Sequence, residues 1–542
     1  MFLNWQTSEQ MKELLCTLVE HASITGTKGE VSFAEHLFYL LKSFPYYIQN
    51  PDHLELHSLR DGRQFLTALV KKNTFKDTIM LLSHFDVVDI EDYGHLEHLA
   101  FRPRELTNEL KTLKNRIPKE VLKDLESNEW LFGRGTMDMK AGLTVQLSML
   151  ERAMNGEFNG NLLLLTVPDE EANSEGMLSA IPTIHDLKEK YGLNIKACVN
   201  SEPVFSKYPN DDHYYVYTGS IGKILAGFLC KGIETHVGEP FSGLNANLMI
   251  SELNRLIELN DEFCELVSEE VTPPPTNLMQ KDLKKEYSVQ IPHESVSMFN
   301  VFMMNRSLKE LHEMLCEKAK QAAEEIEKTY QQRQKAFQKY VQFQKKDVKV
   351  NVFTYQQLLQ KAIELYGETE VGRRIDYLQS NRNELGDRDF STQLVADLAS
   401  LCQQYAPMIV LFYSPPFYPA VSSKNDQLIE KTVEKLQQYS IDKHQLELTR
   451  QHYFPGLSDL SFLKLKEDQK SLYTLTSNMP LYGKGYYMPI QELMNLNIPI
   501  VNVGPYGKDA HKWTERIHLP FSFSKYPDLL EYTIKELLKE GG

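Results

Sequence analysis

No stretch of 18 consecutive apolar residues occurs anywhere in the 542 positions, which excludes a helical membrane span. The opening, MFLNWQTSEQMKELLCTLVEH, lacks a basic segment followed by an apolar one, so it does not read as a secretory leader. It reads as an amphipathic helix with Met11, Leu14, Leu15, Leu18 and Val19 on one face. Cysteine is scarce. Cys16, Cys198, Cys230, Cys264, Cys316 and Cys402 are scattered with no CxxC pair, which argues against a disulfide framework and for thiols in a reducing compartment. Positive charge is in deficit, with 59 Lys and Arg against 74 Asp and Glu and a net charge of −15. Such a surface disfavours nucleic acid and anionic membranes as partners, although a local basic pocket could hold a small anion. Internal repeats and low-complexity segments are also missing. The expectation is a soluble, cytoplasmic protein.

What is present is globular. Hydrophobic residues make up 42% and charged residues 25% of the chain, a folded composition, and the length calls for two or three domains. Thr78–Ser83 (TIMLLS), Asn161–Val167 (NLLLLTV) and Ile195–Asn200 (IKACVN) read as buried strands. Met139–Met154 reads as a helix with Leu143, Leu147, Leu150 and Met154 on one stripe. The texture returns at the end, with a helix at Gln427–Gln438, a strand at Ile498–Val503 and a helix at Pro527–Lys539. The predicted class is α/β, a mostly parallel mixed sheet with helices on both faces. The middle differs. Tyr214–Leu229 alternates like a half-exposed antiparallel strand pair, a helix follows near Asn245–Leu259, and Ser307 to about Gln344 reads as a long polar helix. That helix fits packing on its own domain better than a partner-binding coiled coil. The predicted organisation is therefore a catalytic part over 1–215 and 419–542, interrupted by a second domain over 216–418.

The chemistry lies at the C-terminal ends of the predicted strands, where open α/β sheets place their ligands. His84-Phe85-Asp86 follows one strand, Asp169-Glu170-Glu171 another, Ser201-Glu202 a third, and GPYGKDAH, ending in His511, the last. GRGTMDMKAG puts Asp138 just before a helix. Each piece alone has an ordinary structural reading: a capped turn, a solvated acidic pair, a helix cap, a core histidine. Their convergence on one sheet edge is the signal. Two imidazoles and three carboxylates (His84, His511, Asp138, Glu171 and Glu202) suit two divalent cations such as zinc, with cobalt or manganese as other options. Two such ions bring +4 and the carboxylates −3, a balance that favours ionised water near neutral pH. Asp138 would bridge ions about 3.5–4 Å apart. Asp86 is placed to accept the other ring N–H of His84. Glu170 points away from its neighbour Glu171 along an extended segment, which suits it to be the general base.

The strings LLSHFDVVD, LFGRGTMDMKAGL, VPDEEANSEGM, NSEP, PGLSDLSF and GPYGKDAHKWTERIH resemble, in order, those of the zinc-dependent exopeptidase and aminoacylase family. That family includes carboxypeptidase G, peptidase T, acetylornithine deacetylase and succinyl-diaminopimelate desuccinylase, and the length and middle insertion look most like its RocB-type arginine-utilisation branch. The resemblance implies five metal ligands at His84, Asp138, Glu171, Glu202 and His511, two Zn²⁺ per chain, an orienting Asp86 and a base Glu170. It implies a ferredoxin-like lid that often dimerises, so the chain is expected as a monomer or a homodimer through the lid. KGIETHVGEPFSGLNAN resembles the lid's substrate-facing turn, which makes His236 an oxyanion stabiliser in its own subunit or a partner's, with Asn245 beside it. Arg306 matches a lid arginine that can meet a substrate carboxylate, and Ser458 and Asp459 match a loop at the pocket wall. A structural turn for His236, a surface salt bridge for Arg306 and an N-cap for Ser458-Asp459 are the competing readings. A helical insertion at about 335–405 departs from the family pattern. The expected reaction is amide cleavage in a small peptide or N-acyl amino acid, arginine-related on the branch resemblance. A non-catalytic scaffold keeping the fold is the rival.

Overall fold

The computed structural model describes residues 4–113, 116–208, 211, 213–383 and 385–539. The chain divides into two compact units. One comprises Met1–Ile221, Ala420–Leu465 and Pro489–Gly542, the other Gly222–Pro419 and Lys466–Met488.

The first unit is built on a mixed sheet of eight strands. In chain order these are β1 (Leu54–Ser58), β2 (Gln64–Val70), β3 (Asp77–His84), β4 (Asn161–Val167), β5 (Asn194–Asn200), β6 (Tyr214–Tyr217), β7 (Leu448–Gln451) and β8 (Ile500–Asn502). Across the sheet they run β1-β2-β4-β3-β5-β8-β6-β7. The central pairs β4/β3, β3/β5 and β5/β8 are parallel, whereas β1/β2 and β2/β4 are antiparallel. The leucine- and valine-rich β4 is buried along its whole length, and β3 at all but its first residue. That requires cover on both faces and explains why these strands read as continuous apolar runs rather than alternating ones. The helices Ser8–Glu20, Lys140–Met154 and Tyr526–Lys539 supply part of the core, and the five apolar positions predicted on the first are all buried. Helix Lys140–Met154 is held close by Gly142, where a Cβ would lie 2.2 Å from the Ser201 carbonyl oxygen.

The second unit carries a five-stranded sheet in the order Thr276–Asp282, Glu294–Met303, Gly222–Lys231, Met408–Tyr418, Asn351–Thr354. All its pairings are antiparallel except the last. Helices Ala246–Ile257 and Leu308–Phe337 belong to it, each starting at a side-chain cap, Asn245 and Ser307 respectively. The ladder between Met408–Tyr418 and Gly222–Lys231 breaks after Ser414, where Pro415 and Pro416 offer no N–H. The fold is thus mixed α/β, a large sheet domain plus a second unit with its own sheet.

Three expectations change. Tyr214–Leu229 is not a strand pair: Tyr214–Tyr217 joins the large sheet beside Leu448–Gln451, and Gly222–Lys231 is central in the other sheet. The insertion is not wholly helical, because Asn351–Thr354 is an edge strand before helices Tyr355–Tyr366, Glu368–Ser380 and Asp387–Leu401. Residues 466–488, inside the closing segment, pack with the second unit. Among the described residues, no helix is long and apolar enough to cross a membrane. All six cysteines are free thiols.

Candidate metal centre

Because β3, β4 and β5 run parallel as neighbours, their C-terminal ends share one edge. β3 ends on His84, Glu170 and Glu171 follow β4, and Glu202 follows β5. Asp138 precedes the helix Lys140–Met154, and His511 lies in the loop between the short strands Gly507–Lys508 and Arg516–His518.

Asp138 is the centre of the arrangement. Its Oδ1 lies 3.3 Å from His84 Nε2, and its Oδ2 lies 3.3 Å from His511 Nε2. Each imidazole faces a second carboxylate: Glu202 Oε1 is 3.5 Å from His84 Nε2, and Glu171 Oε1 is 3.0 Å from His511 Nε2. One donor atom from each of His84, Asp138 and Glu171 also lies within 4.8 Å of the other two. Glu170 Oε2 stands 3.9 Å from His84 Nε2.

The His84 ring is fixed from behind. Its Nδ1 is 3.0 Å from the backbone carbonyl of Asp86, a pure acceptor, so Nδ1 carries a hydrogen and Nε2 is the ring atom that faces Asp138 and Glu202. The Asp86 carboxylate is farther, at 3.5 Å. It accepts instead from the backbone N–H groups of Glu170 and Glu171, at 3.1 and 3.2 Å, and from the Thr25 hydroxyl at 2.9 Å.

Electrostatics explain what such a cluster demands. Burial alone would lower the His84 imidazole, but Glu202, Asp138, Asp86 and Glu170 outweigh it and hold the group well above its ordinary value. His511 is half-exposed and only partly desolvated, and Asp138 and Glu171 likewise push it up to about 11. Asp138 is held low by the two imidazoles despite its own burial. Burial raises Glu170, Glu171 and Glu202 instead, and neighbouring carboxylates add to it, Asp138 in the case of Glu171 and Glu202. Buried carboxylates therefore outnumber the imidazoles that could balance them, and ions so placed persist only with a counter-cation. Imidazole and carboxylate donors on both sides of one shared carboxylate fit a pair of divalent metals.

A family model of peptidase family M20/M25/M40 matches residues 80–495, a span that includes His84, Asp138, Glu171 and Glu202 and the whole second unit. The chain belongs to that family. It is a hydrolytic enzyme. It is 56% identical over 539 residues to YqjN of Bacillus subtilis (strain 168), an uncharacterized protein, covering 99% of this chain and 98% of that one. It is 30% identical over 544 residues to protein RocB of the same organism, covering 98% and 95%. Among solved structures, an M20 family metallo-carboxypeptidase from Sulfolobus solfataricus superposes with a TM-score of 0.55 at 12% identity, covering 98% of each chain, a likeness of fold.

Two supports of the enzyme's site escaped the reading of the sequence. Glu515, fully buried, accepts from the backbone N–H groups of Met137 and Asp138 at 3.1 and 3.3 Å. Arg134 holds it at 2.9 Å and reaches Asp92 at 2.9 Å. Arg63 contacts Asp169, the residue before the Glu170-Glu171 pair, and Glu30. Glu515 sits within a quoted string, but no spacing marks it. Arg63 lies in a turn more than 100 residues from its partner.

The remaining candidates are placed as follows. His236 is exposed in the second unit and accepts at Nδ1 from the Gly238 N–H at 3.1 Å. Asn245 caps its helix by accepting from the Asn247 N–H at 2.8 Å. Arg306 donates to the carbonyls of Phe263 and Cys264, at 2.8 and 3.4 Å, which ties a loop together. In the first unit, the Ser458 hydroxyl lies 3.2 Å from that of Ser220. Asp459 is buried and pushed up to about 7, first by its burial; Ser174 lies beside it, but neither carboxylate oxygen has a well-directed donor.

Two predictions follow from the surroundings of the site. At Gly504 a Cβ would lie 1.8 Å from the Glu202 carbonyl oxygen. Gly504→Ala is expected to cost about 1–3 kcal/mol through forced displacement, read by chemical denaturation; unchanged stability would mean that the Glu202 loop yields freely. Glu30 is pushed up to about 7 by burial and then by Asp86, with Arg63 and the Gly26 N–H opposing. A carboxyl raised in the folded state takes up a proton on folding between about 4.3 and its folded value, so stability falls as pH rises through that window. Between pH 5 and pH 8, about the span of that titration, wild type is expected to lose more stability than Glu30→Gln; parallel losses would remove Glu30 as the source.

Proposed function

We propose that this enzyme is a two-metal hydrolase, zinc being its metal, that cleaves the amide bond of a small peptide or N-acyl amino acid in the cytoplasm. The observation that carries this reading is the division of Asp138 between two imidazoles, at 3.3 Å on each side. His84 and Glu202 would hold one ion, His511 and Glu171 the other, with Asp138 between them. The ions, when bound, supply Lewis acidity and lower the pKa of water. Glu170, whose carboxylate faces His84 at 3.9 Å, takes the proton of the attacking water and returns it to the leaving amine. The likeness of its turn to the family's substrate-facing turn is what supports His236 as the oxyanion stabiliser. Asp86 keeps the His84 tautomer and, through its carboxylate, the register of Glu170 and Glu171.

The N-acyl class is favoured by a partial relative, the succinyl-diaminopimelate desuccinylase of Ehrlichia canis, 26% identical over 185 residues. Arginine derivatives enter through the likeness to RocB. The test is metal content after dialysis, followed by a screen of dipeptides and N-acyl amino acids, arginine derivatives included, with zinc, cobalt or manganese. Two ions per chain with turnover of one such amide are expected. One ion at saturation would sink the paired centre, and silence across the screen would sink the substrate class.

A further inference from the structure

Next to the Glu170-Glu171 pair the first unit holds a closed circuit of hydrogen bonds, of which the proposed mechanism uses only the Asp86 part. Arg63 Nη1 donates to both Asp169 Oδ1 and Glu30 Oε1, the latter at 3.2 Å. The other Glu30 oxygen accepts from the Gly26 N–H at 2.7 Å. The neighbouring Thr25 hydroxyl donates to Asp86 at 2.9 Å, and Asp86 accepts from the N–H groups of Glu170 and Glu171. Those residues follow Asp169 directly, which closes the circuit. Arg63, Glu30, Asp86 and Asp169 are all buried.

Asp169 is the sensitive member. It is not glycine, yet its φ is +71°, a conformation that costs free energy and persists where surroundings over-determine it. Its carbonyl oxygen accepts from the N–H groups of Ala172, Asn173 and Ser174, at 3.3, 3.2 and 2.6 Å. Its Oδ2 accepts from the Glu175 N–H at 3.0 Å. This turn sends Glu170 and Glu171 in different directions, and Arg63 is the ion-pair partner that the structure gives its carboxylate.

We propose that Arg63 is a positioning residue of this enzyme. By clamping Asp169 to Glu30 it sets the direction of the Glu170 carboxylate and the place of Glu171 beside His511. This rests on the roles proposed above for Glu170 and Glu171. A guanidinium suits the task because its nitrogens meet four carboxylates at once. Besides Glu30 and Asp169, Asp61 lies at 2.7 Å and Glu175 at 3.3 Å. The two contacts that matter share one nitrogen, so a lysine ammonium at that point could preserve both.

The test compares Arg63→Gln, Arg63→Lys, Asp169→Asn and, as a control, Asp61→Asn, each confirmed as folded by its melting curve. The readouts are kcat and KM for an N-acyl amino acid that wild type cleaves, and zinc affinity by chelator competition. Arg63→Gln and Asp169→Asn are expected to lower kcat about 10- to 100-fold and to weaken one of two zinc sites by a similar factor, with KM nearly unchanged. Arg63→Lys should recover most of both, and Asp61→Asn should match wild type. If Arg63→Gln fails to fold, Asp169→Asn decides. A folded clamp variant with wild-type kcat and zinc affinity overturns the proposal, as does an equal loss in Asp61→Asn. Wild type without bound metal would instead overturn the reading of the centre itself.

Discussion

Glu170→Ala is expected to lower turnover about 10²- to 10⁴-fold, the range removed with a general acid–base group, while both metal ions stay bound. The separation of these outcomes follows from geometry. Asp138, Glu202 and Glu171 each oppose an imidazole Nε2 at 3.0–3.5 Å, whereas Glu170 stands back at 3.9 Å from His84. Its carboxyl is raised by burial and then by Glu202, Asp459 and Glu171, with His84 opposing. Elemental analysis beside steady-state kinetics reads both quantities. Metal lost together with activity would make Glu170 a ligand; metal kept with full turnover would leave the enzyme without its assigned base.

Asp138→Ala should do the reverse, removing metal first and activity as a consequence. The other candidate ligands serve one side of the centre, but Asp138 gives one oxygen to each. Its loss is expected to leave at most one ion per chain, whereas His511→Ala should spare the His84 side. A metal that stabilises a transition state by several kcal/mol is worth about 10³-fold in rate or more when removed. The protein should remain folded, because Glu515 binds backbone N–H groups at this turn and not the Asp138 side chain. Two ions retained in Asp138→Ala would mean that the carboxylate does not bridge.

Much of the centre was legible because its parts are local. β3, β4 and β5 are apolar runs, each followed within a few residues by His84, by Glu170-Glu171 or by Glu202, and parallel pairing places those ends together without further information. The supports were not legible, since nothing near Arg63 points to Asp169 and nothing near Glu515 points to Asp138. Contacts across 100 to 400 residues leave no period in the sequence. Tyr214–Leu229 misled for a related reason. Two strands of different sheets, joined by residues 218–221, look the same along the chain as a hairpin. Asn351–Thr354 is four residues long, too short to interrupt a helical pattern visibly. The two carbonyls that Arg306 meets, those of Phe263 and Cys264, leave no mark in the sequence either.

The assignment of 466–488 to the second unit means that the polypeptide passes between the two bodies four times rather than twice. A fragment cut at 222 and 419 would lack the helix Gln469–Ser477 and, with it, Asn478, whose carbonyl and side-chain oxygens receive the N–H groups of Tyr413 and Gln356 at 2.8 and 3.0 Å. Grafting this second unit onto a related hydrolase therefore requires transplanting two pieces of chain, and a single-segment exchange would leave those amide groups exposed to solvent on one side and an orphaned helix on the other.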